Sequence, residues 1–143
     1  MVFPLFRQAS LNDCGSTCLR MIAKFYGKDY SSAYLAKLTG PNKSGVTLLD
    51  LANAAERIGF KSLCVKIPAK MLIESAPLPC ILFWNFKHFV VLYNISNEQV
   101  LIADPAIGLS SISYIDFEGE WCSGNKVGIA LLLETTAKFY QGK

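Results

Sequence analysis

His88-Phe89-Val90-Val91-Leu92-Tyr93-Asn94-Ile95-Ser96-Asn97-Glu98-Gln99-Val100-Leu101-Ile102-Ala103-Asp104-Pro105 holds two dense apolar runs on either side of a short polar turn. Apolar runs of this length bounded by turn formers read as strands, and two joined so closely read as an antiparallel hairpin. Folding the chain about Ser96-Asn97 pairs positions whose numbers sum to about 192 or 193. Asp104 then lies opposite His88 or one step diagonal to it, with Cβ atoms roughly 5 to 8 Å apart.

The strand pattern continues on both sides of this hairpin. Leu63, Val65 and Ile67 alternate with polar or small residues, Cys80 to Trp84 is another dense run, and Val127 to Leu133 completes the set. Pro77 and Pro79 bracket a loop before the first dense strand, and Pro105 to Gly108 makes a turn after the hairpin. The first half has the helical period instead. Asn12 or Asp13 can cap a helix that runs to Tyr26, with Cys18, Met21, Ile22 and Phe25 on one face and Gly27 as its stop. Ser31 or Ser32 opens a short second helix that ends at Gly40-Pro41. Thr47 and Asp50 have the spacing of a capping box for a third helix, in which Leu48, Leu51, Ala52, Ala55 and Ile58 share one side and Gly59 is the stop. Helices first and strands afterwards predict an α+β domain, N-terminal helices packed on an antiparallel β-sheet, rather than alternating βαβ units. The chain reads as one domain, with a mainly helical part over 1–60, a sheet part over 61–135 and a tail over 136–143.

Composition excludes several classes of function. A length of 143 residues suffices for a real core, and 52% hydrophobic with 17% charged residues excludes disorder. The net charge of +3 is spread thinly, with no basic stripe, so no nucleic-acid partner is expected. No apolar run approaches the roughly eighteen residues of a membrane span. The start Met1-Val2-Phe3-Pro4 lacks the basic, apolar and small-residue regions of a signal peptide. Cys14, Cys18, Cys64, Cys80 and Cys122 are odd in number and form no CxxC pair. A disulfide framework and a structural zinc site are therefore not expected, and a reducing compartment is.

Two residue types suggest chemistry. Cys14 sits at the mouth of the first helix, where first-turn N–H groups and the helix dipole favour a thiolate. The competing reading is a small core residue, the role assigned to Cys18, Cys64, Cys80 and Cys122. His88 is the only histidine, so it is the only imidazole able to take a thiol proton and pass one on. Asp104, across the hairpin, suits a carboxylate that holds the imidazole in one tautomer; a turn-forming Asp before Pro105 is the alternative. Gln8 lies six residues before Cys14 and can supplement the Cys14 backbone N–H as an oxyanion donor, or be a polar loop residue. Asp13 would oppose a thiolate if it pointed inward, so capping is its expected role. Gly15 permits close approach of backbone or substrate.

Gln8 with Asp13-Cys14-Gly15, Gly45-Val46-Thr47-Leu48-Leu49, His88-Phe89-Val90-Val91-Leu92, Ala103-Asp104-Pro105-Ala106 with Gly108, and Trp121 through Leu131-Leu132-Leu133-Glu134 form an ordered set over nearly the whole chain. That set resembles the bacteriocin-processing cysteine peptidase domain at the N-terminus of peptidase-containing ABC transporters. The resemblance implies a papain-like fold, with Cys14 as nucleophile, His88 as general base and acid, Asp104 as its orienting partner and Gln8 as oxyanion donor. It further implies cleavage of leader peptides after a Gly-Gly type doublet, the leader binding as an amphipathic helix in a shallow apolar groove. The expected setting is the cytoplasmic side of a bacterial inner membrane, with the transmembrane and ATPase domains of a parent transporter as partners.

The chain stops at Tyr140-Gln141-Gly142-Lys143, about where family members continue into membrane helices, and it has no GxxxxGK[ST] loop. An excised domain or a stand-alone protease is expected, with no cofactor of its own; ATP would belong to an absent nucleotide-binding domain. The rival expectation is a non-catalytic docking domain that binds secretion substrates for a transporter. A thiol acyltransferase is a third. Cys14 argues against the docking reading, because a binding-only module has no need of that thiol.

Overall fold

Residues 3–9, 13–40, 46–85 and 88–141 are described by the structure, a computed structural model. Helix α1, Cys14–Phe25, buries a face led by Cys18, Leu19, Met21 and Ile22, and Gly27 beyond it takes φ +101°, as a helix stop requires. Helix α2, Ser32–Thr39, opens on Ser31, whose hydroxyl accepts from the Tyr34 N–H, and gives way to Gly40 at φ +102°. Helix α3, Leu48–Arg57, carries the full capping box: Thr47 accepts from the Asp50 N–H while Asp50 accepts from the Thr47 N–H. All three helices fall where the sequence expectation placed them; Asn12 and Pro41 lie outside the described residues.

Six strands follow: β1 Phe60–Ile67, β2 Cys80–Trp84, β3 His88–Ser96, β4 Gln99–Asp104, β5 Gly108–Ser113 and β6 Gly128–Thr135. They form one antiparallel sheet in the order β1-β6-β2-β3-β4-β5. The helices α1 to α3 cover one face through Ile81, Phe89, Val91, Leu131 and Leu133. The other face packs Leu82, Val90, Leu92 and Ile102 against α4, Ala69–Ser75, and α5, Tyr114–Cys122. Strand β5, α4, α5 and the closing helix α6, Ala137–Gln141, were not read from the sequence. Phe139 of α6 is fully buried, so residues 137–141 are docked helix where the sequence reading had only a tail.

The hairpin register differs from the expected one. Its turn falls on Asn97 and Glu98, both left-handed (φ +50° and +62°), one residue later than expected. A bulge at Tyr93, between the Leu92–Ile102 and Asn94–Leu101 pairs, slips the strands again. Val91 pairs with Ala103, which sets Asp104 beside Val90 and diagonal to His88.

Candidate active site

His88 opens β3 and Asp104 closes β4, so the two residues stand at one end of the sheet. Their diagonal placement is bridged directly: His88 Nε2 lies 2.7 Å from Asp104 Oδ1, a charge-assisted contact. The same oxygen accepts the Ala106 N–H at 2.8 Å, and the Ile107 N–H bonds the Asp104 carbonyl at 3.2 Å. The two sequence readings of Asp104, imidazole partner and turn former, are thus both realised by one carboxylate.

The Cys14 side chain also lies near enough to the His88 ring to act on its protonation. With Nε2 committed to Asp104, Nδ1 is the ring atom left for the sulfur. The Asp104 hydrogen bond, followed by the Cys14 side chain, pushes the His88 pKa from 6.5 up to about 9 against the opposing effect of burial. Burial pulls the Asp104 carboxyl upward, but hydrogen bonds from His88 and the Ala106 N–H outweigh it and hold it below its ordinary value. These contacts favour the protonated form of the ring.

Cys14 is the first residue of α1 and is 7% exposed. The expected capping by Asp13 is not made: Asp13 occupies the N-cap position, but its side chain forms no cap hydrogen bond. Gly15 serves packing between helices: a Cβ there would come within 3.0 Å of Leu51 Cδ2 on α3. Its close neighbour in the structure is thus the Leu51 side chain. Gln8 reaches the same region from the N-terminal segment, its backbone N–H bonded to the Pro105 carbonyl at 2.9 Å, one residue past Asp104.

The other thiols divide. Cys18, Cys80 and Cys122 are buried as expected, and burial pushes the Cys18 thiol up, with Cys14 and Asp104 adding to the effect. Cys64 is exposed on edge strand β1, contrary to its assignment to the core. Among the described residues no group of three or more His, Cys, Asp and Glu side chains is placed to hold a metal ion, and no helix is long and apolar enough to cross a membrane. The sequence reading passed over Trp84, the cross-strand partner of His88. The signal for it was the closeness in sequence of Cys80–Trp84 to His88, two runs that pair antiparallel as β2 and β3.

A thiol at a helix mouth, an imidazole and a buried carboxylate in series, on helices packed over an antiparallel sheet, are the marks of a cysteine peptidase. The chain belongs to the peptidase C39 family, whose family model matches residues 2–138. It is 32% identical over 92% of its length to the pediocin PA-1 transport/processing ATP-binding protein of Pediococcus acidilactici, and 32% identical over 77% to the colicin V secretion/processing ATP-binding protein of Escherichia coli. The chain spans only 18% and 16% of those two curated relatives. Among solved structures it matches a double glycine motif protease from an AMS/PCAT transporter in complex with the leader peptide, with TM-score 0.85, 28% identity, and coverage of 93% of this chain and 91% of that one. The peptidase domain of Streptococcus ComA, a bi-functional ABC transporter of a quorum sensing pathway, matches with TM-score 0.83, 31% identity and coverage of 94% and 100%.

Proposed function

We propose that this chain is a single peptidase domain, a cysteine endopeptidase that removes leader peptides after a Gly-Gly type doublet from ribosomally made precursors, bacteriocin-like or signalling. The observation that carries this reading is His88 Nε2 held by Asp104 Oδ1 at 2.7 Å, with the Cys14 side chain near enough to act on the same ring. Relatives described as transport/processing proteins, and a solved relative holding a leader peptide, support the substrate class.

In this reading Cys14 passes its proton to His88, and the thiolate attacks the carbonyl carbon of the second glycine. The oxyanion is held by the Gln8 amide and the Cys14 backbone N–H. His88 returns the proton to the leaving amine, which departs as the new N-terminus of the cargo. Water, deprotonated by the same ring, then hydrolyses the thioester and frees the leader. A slot too narrow for side chains would account for the preference for glycine. No step needs a cofactor. ATP-driven export belongs to the transmembrane and ATPase domains of a parent transporter, with this domain on its cytoplasmic side.

The test is incubation with a precursor peptide carrying a Gly-Gly leader, read by mass. Wild type yields leader and cargo whose masses sum to precursor plus one water. Cys14→Ala binds the leader and leaves it intact; undiminished turnover in that variant removes the nucleophile assignment. Intact precursor co-eluting with the wild-type domain would favour the docking reading instead.

A further inference from the structure

His88 on β3 divides the active end of the sheet, with β2 and β6 on one side and β4 and β5 on the other. The β4–β5 side carries groups that neither the core nor the His88–Asp104 pair uses. Pro105, Ala106 and Ile107 lead from Asp104 into β5, and Ile107 is 70% exposed. Beyond the turn, Gly108 pairs with Asp104 and Leu109 with Ala103. Ala103 belongs to the core that contains Cys14, so Leu109, 45% exposed, stands on the face of the sheet that α1 covers.

Arg7 reaches the same place from the N-terminal segment. It is exposed, and its Nη2 lies 3.1 Å from the point where a Cβ on Gly108 would stand. The guanidinium therefore lies close over the backbone of the residue paired with Asp104, a position that the missing side chain at Gly108 leaves open. The next residue, Gln8, holds Arg7 there by its backbone N–H on the Pro105 carbonyl. Arg7 is in no ion pair among the described residues. A forked cation in that situation suits an incoming carboxylate.

We infer that Arg7 and Ile107 form a subsite for the first residues of the cargo, on the leaving-group side of the scissile bond. Arg7 takes an acidic side chain, and Ile107 with Leu109 takes an apolar one. The inference rests on the peptidase reading above. Its direction comes from the proton. The leader stays on the sulfur as the thioester, and the ring that protonates the departing amine stands on the amine's side of the attacked carbon. Behind that ring come Asp104 and then residues 105–109, so the peptide that follows the amine passes over them. From β3 to β5 is two strand spacings of about 4.8 Å, or about 10 Å. An extended peptide covers that distance in about three residues at roughly 3.4 Å each. The contacts thus fall within the first three residues of the cargo.

The test uses one precursor peptide with a Gly-Gly leader, made with Asp, Lys, Leu or Ser in turn at the first, second and third cargo positions. On wild type, Asp is expected to exceed Lys in kcat/KM by about three- to tenfold at one of these positions, and Arg7→Glu inverts that order. Leu exceeds Ser by a similar factor at a neighbouring position, and Ile107→Ser removes the difference. Both side chains are exposed, so these variants keep the fold. A purely structural effect of Arg7→Glu would lower every peptide alike and leave the order unchanged. The leader alone, ending in Gly-Gly, is bound equally by Cys14→Ala with and without Arg7→Glu, as read by fluorescence anisotropy. Rates indifferent to cargo charge, an order that Arg7→Glu does not invert, or weaker binding of the leader alone by that variant overturns the subsite and leaves the peptidase reading standing. Wild type that leaves every peptide intact overturns the peptidase reading and the subsite with it.

Discussion

Replacing Asp104 by asparagine keeps the size of the side chain and an oxygen for the Ala106 N–H, and removes only the charge facing His88. The Asp104 hydrogen bond is the largest of the influences that raise His88 to about 9, while burial works in the opposite sense. Without the carboxylate the ring titrates back toward 6.5. A fall of about two pH units corresponds to about 3 kcal/mol, and solvent screening reduces this to about 2 kcal/mol for a ring that is 21% exposed. The sign follows from linkage. A folded-state pKa raised above the unfolded value contributes stability that is fully present below pH 6.5 and is lost as pH rises through about 9. Wild type should therefore lose about 2 kcal/mol of unfolding free energy across that window, and Asp104→Asn should be nearly flat there. The assay is unusually direct, because the chain contains one histidine and its ring Hε1 therefore gives one NMR resonance without assignment among histidines. The titration belongs to the imidazole–thiol pair, so it is repeated in Cys14→Ala to isolate the ring. At neutral pH, kcat/KM of Asp104→Asn should fall on the order of a hundredfold to ten-thousandfold. A His88 resonance that titrates at the same pH with and without Asp104 refutes the reasoning.

Two further outcomes are expected. Gln8→Ala should lower kcat on the order of a hundredfold to a thousandfold while leaving the Gln8 N–H bond to the Pro105 carbonyl in place; a mild effect in steady-state assays would make Gln8 a loop anchor and nothing more. Gly128→Ala should destabilise the fold by about 1–3 kcal/mol, since a Cβ there would overlap the Trp121 indole, and the measure is the urea midpoint at constant m-value.

What the sequence displayed and what it withheld divide along physical lines. The caps at Ser31 and Thr47 and the stops at Gly27, Gly40 and Gly59 are local chemistry, and each did what its residue type predicts. Strand β5, Gly-Leu-Ser-Ser-Ile-Ser, has no alternation to read, because it is a largely exposed edge held by its pairing with β4 and not by a buried face. Helix α5 was hidden by Gly119 within it and by short flanks, although Ser113 caps it through the Asp116 N–H. Cys64 sits between Leu63 and Val65 in an apolar context, but Leu63 itself is 60% exposed, so the pattern on β1 carried no direction.

The site was legible for a different reason. A lone histidine and an aspartate on one hairpin have few ways to avoid each other, so even a register misplaced at the turn and at the Tyr93 bulge kept them within reach. Proximity of Cys14 could not be read that way, since no local rule joins α1 to β3. It depends on α1 laying Cys18, Leu19 and Ile22 on Phe89 and Val91, and on Gly15 letting α3 come close enough to fix the pitch of that helix. The nucleophile is thus positioned by the core and the base by the sheet. Core substitutions that shift α1, such as Gly15→Ala against Leu51, would separate sulfur from ring without touching the His88–Asp104 pair. The alkaline histidine titration would then survive largely through Asp104 while acyl transfer failed, a split that a preformed three-residue unit could not show.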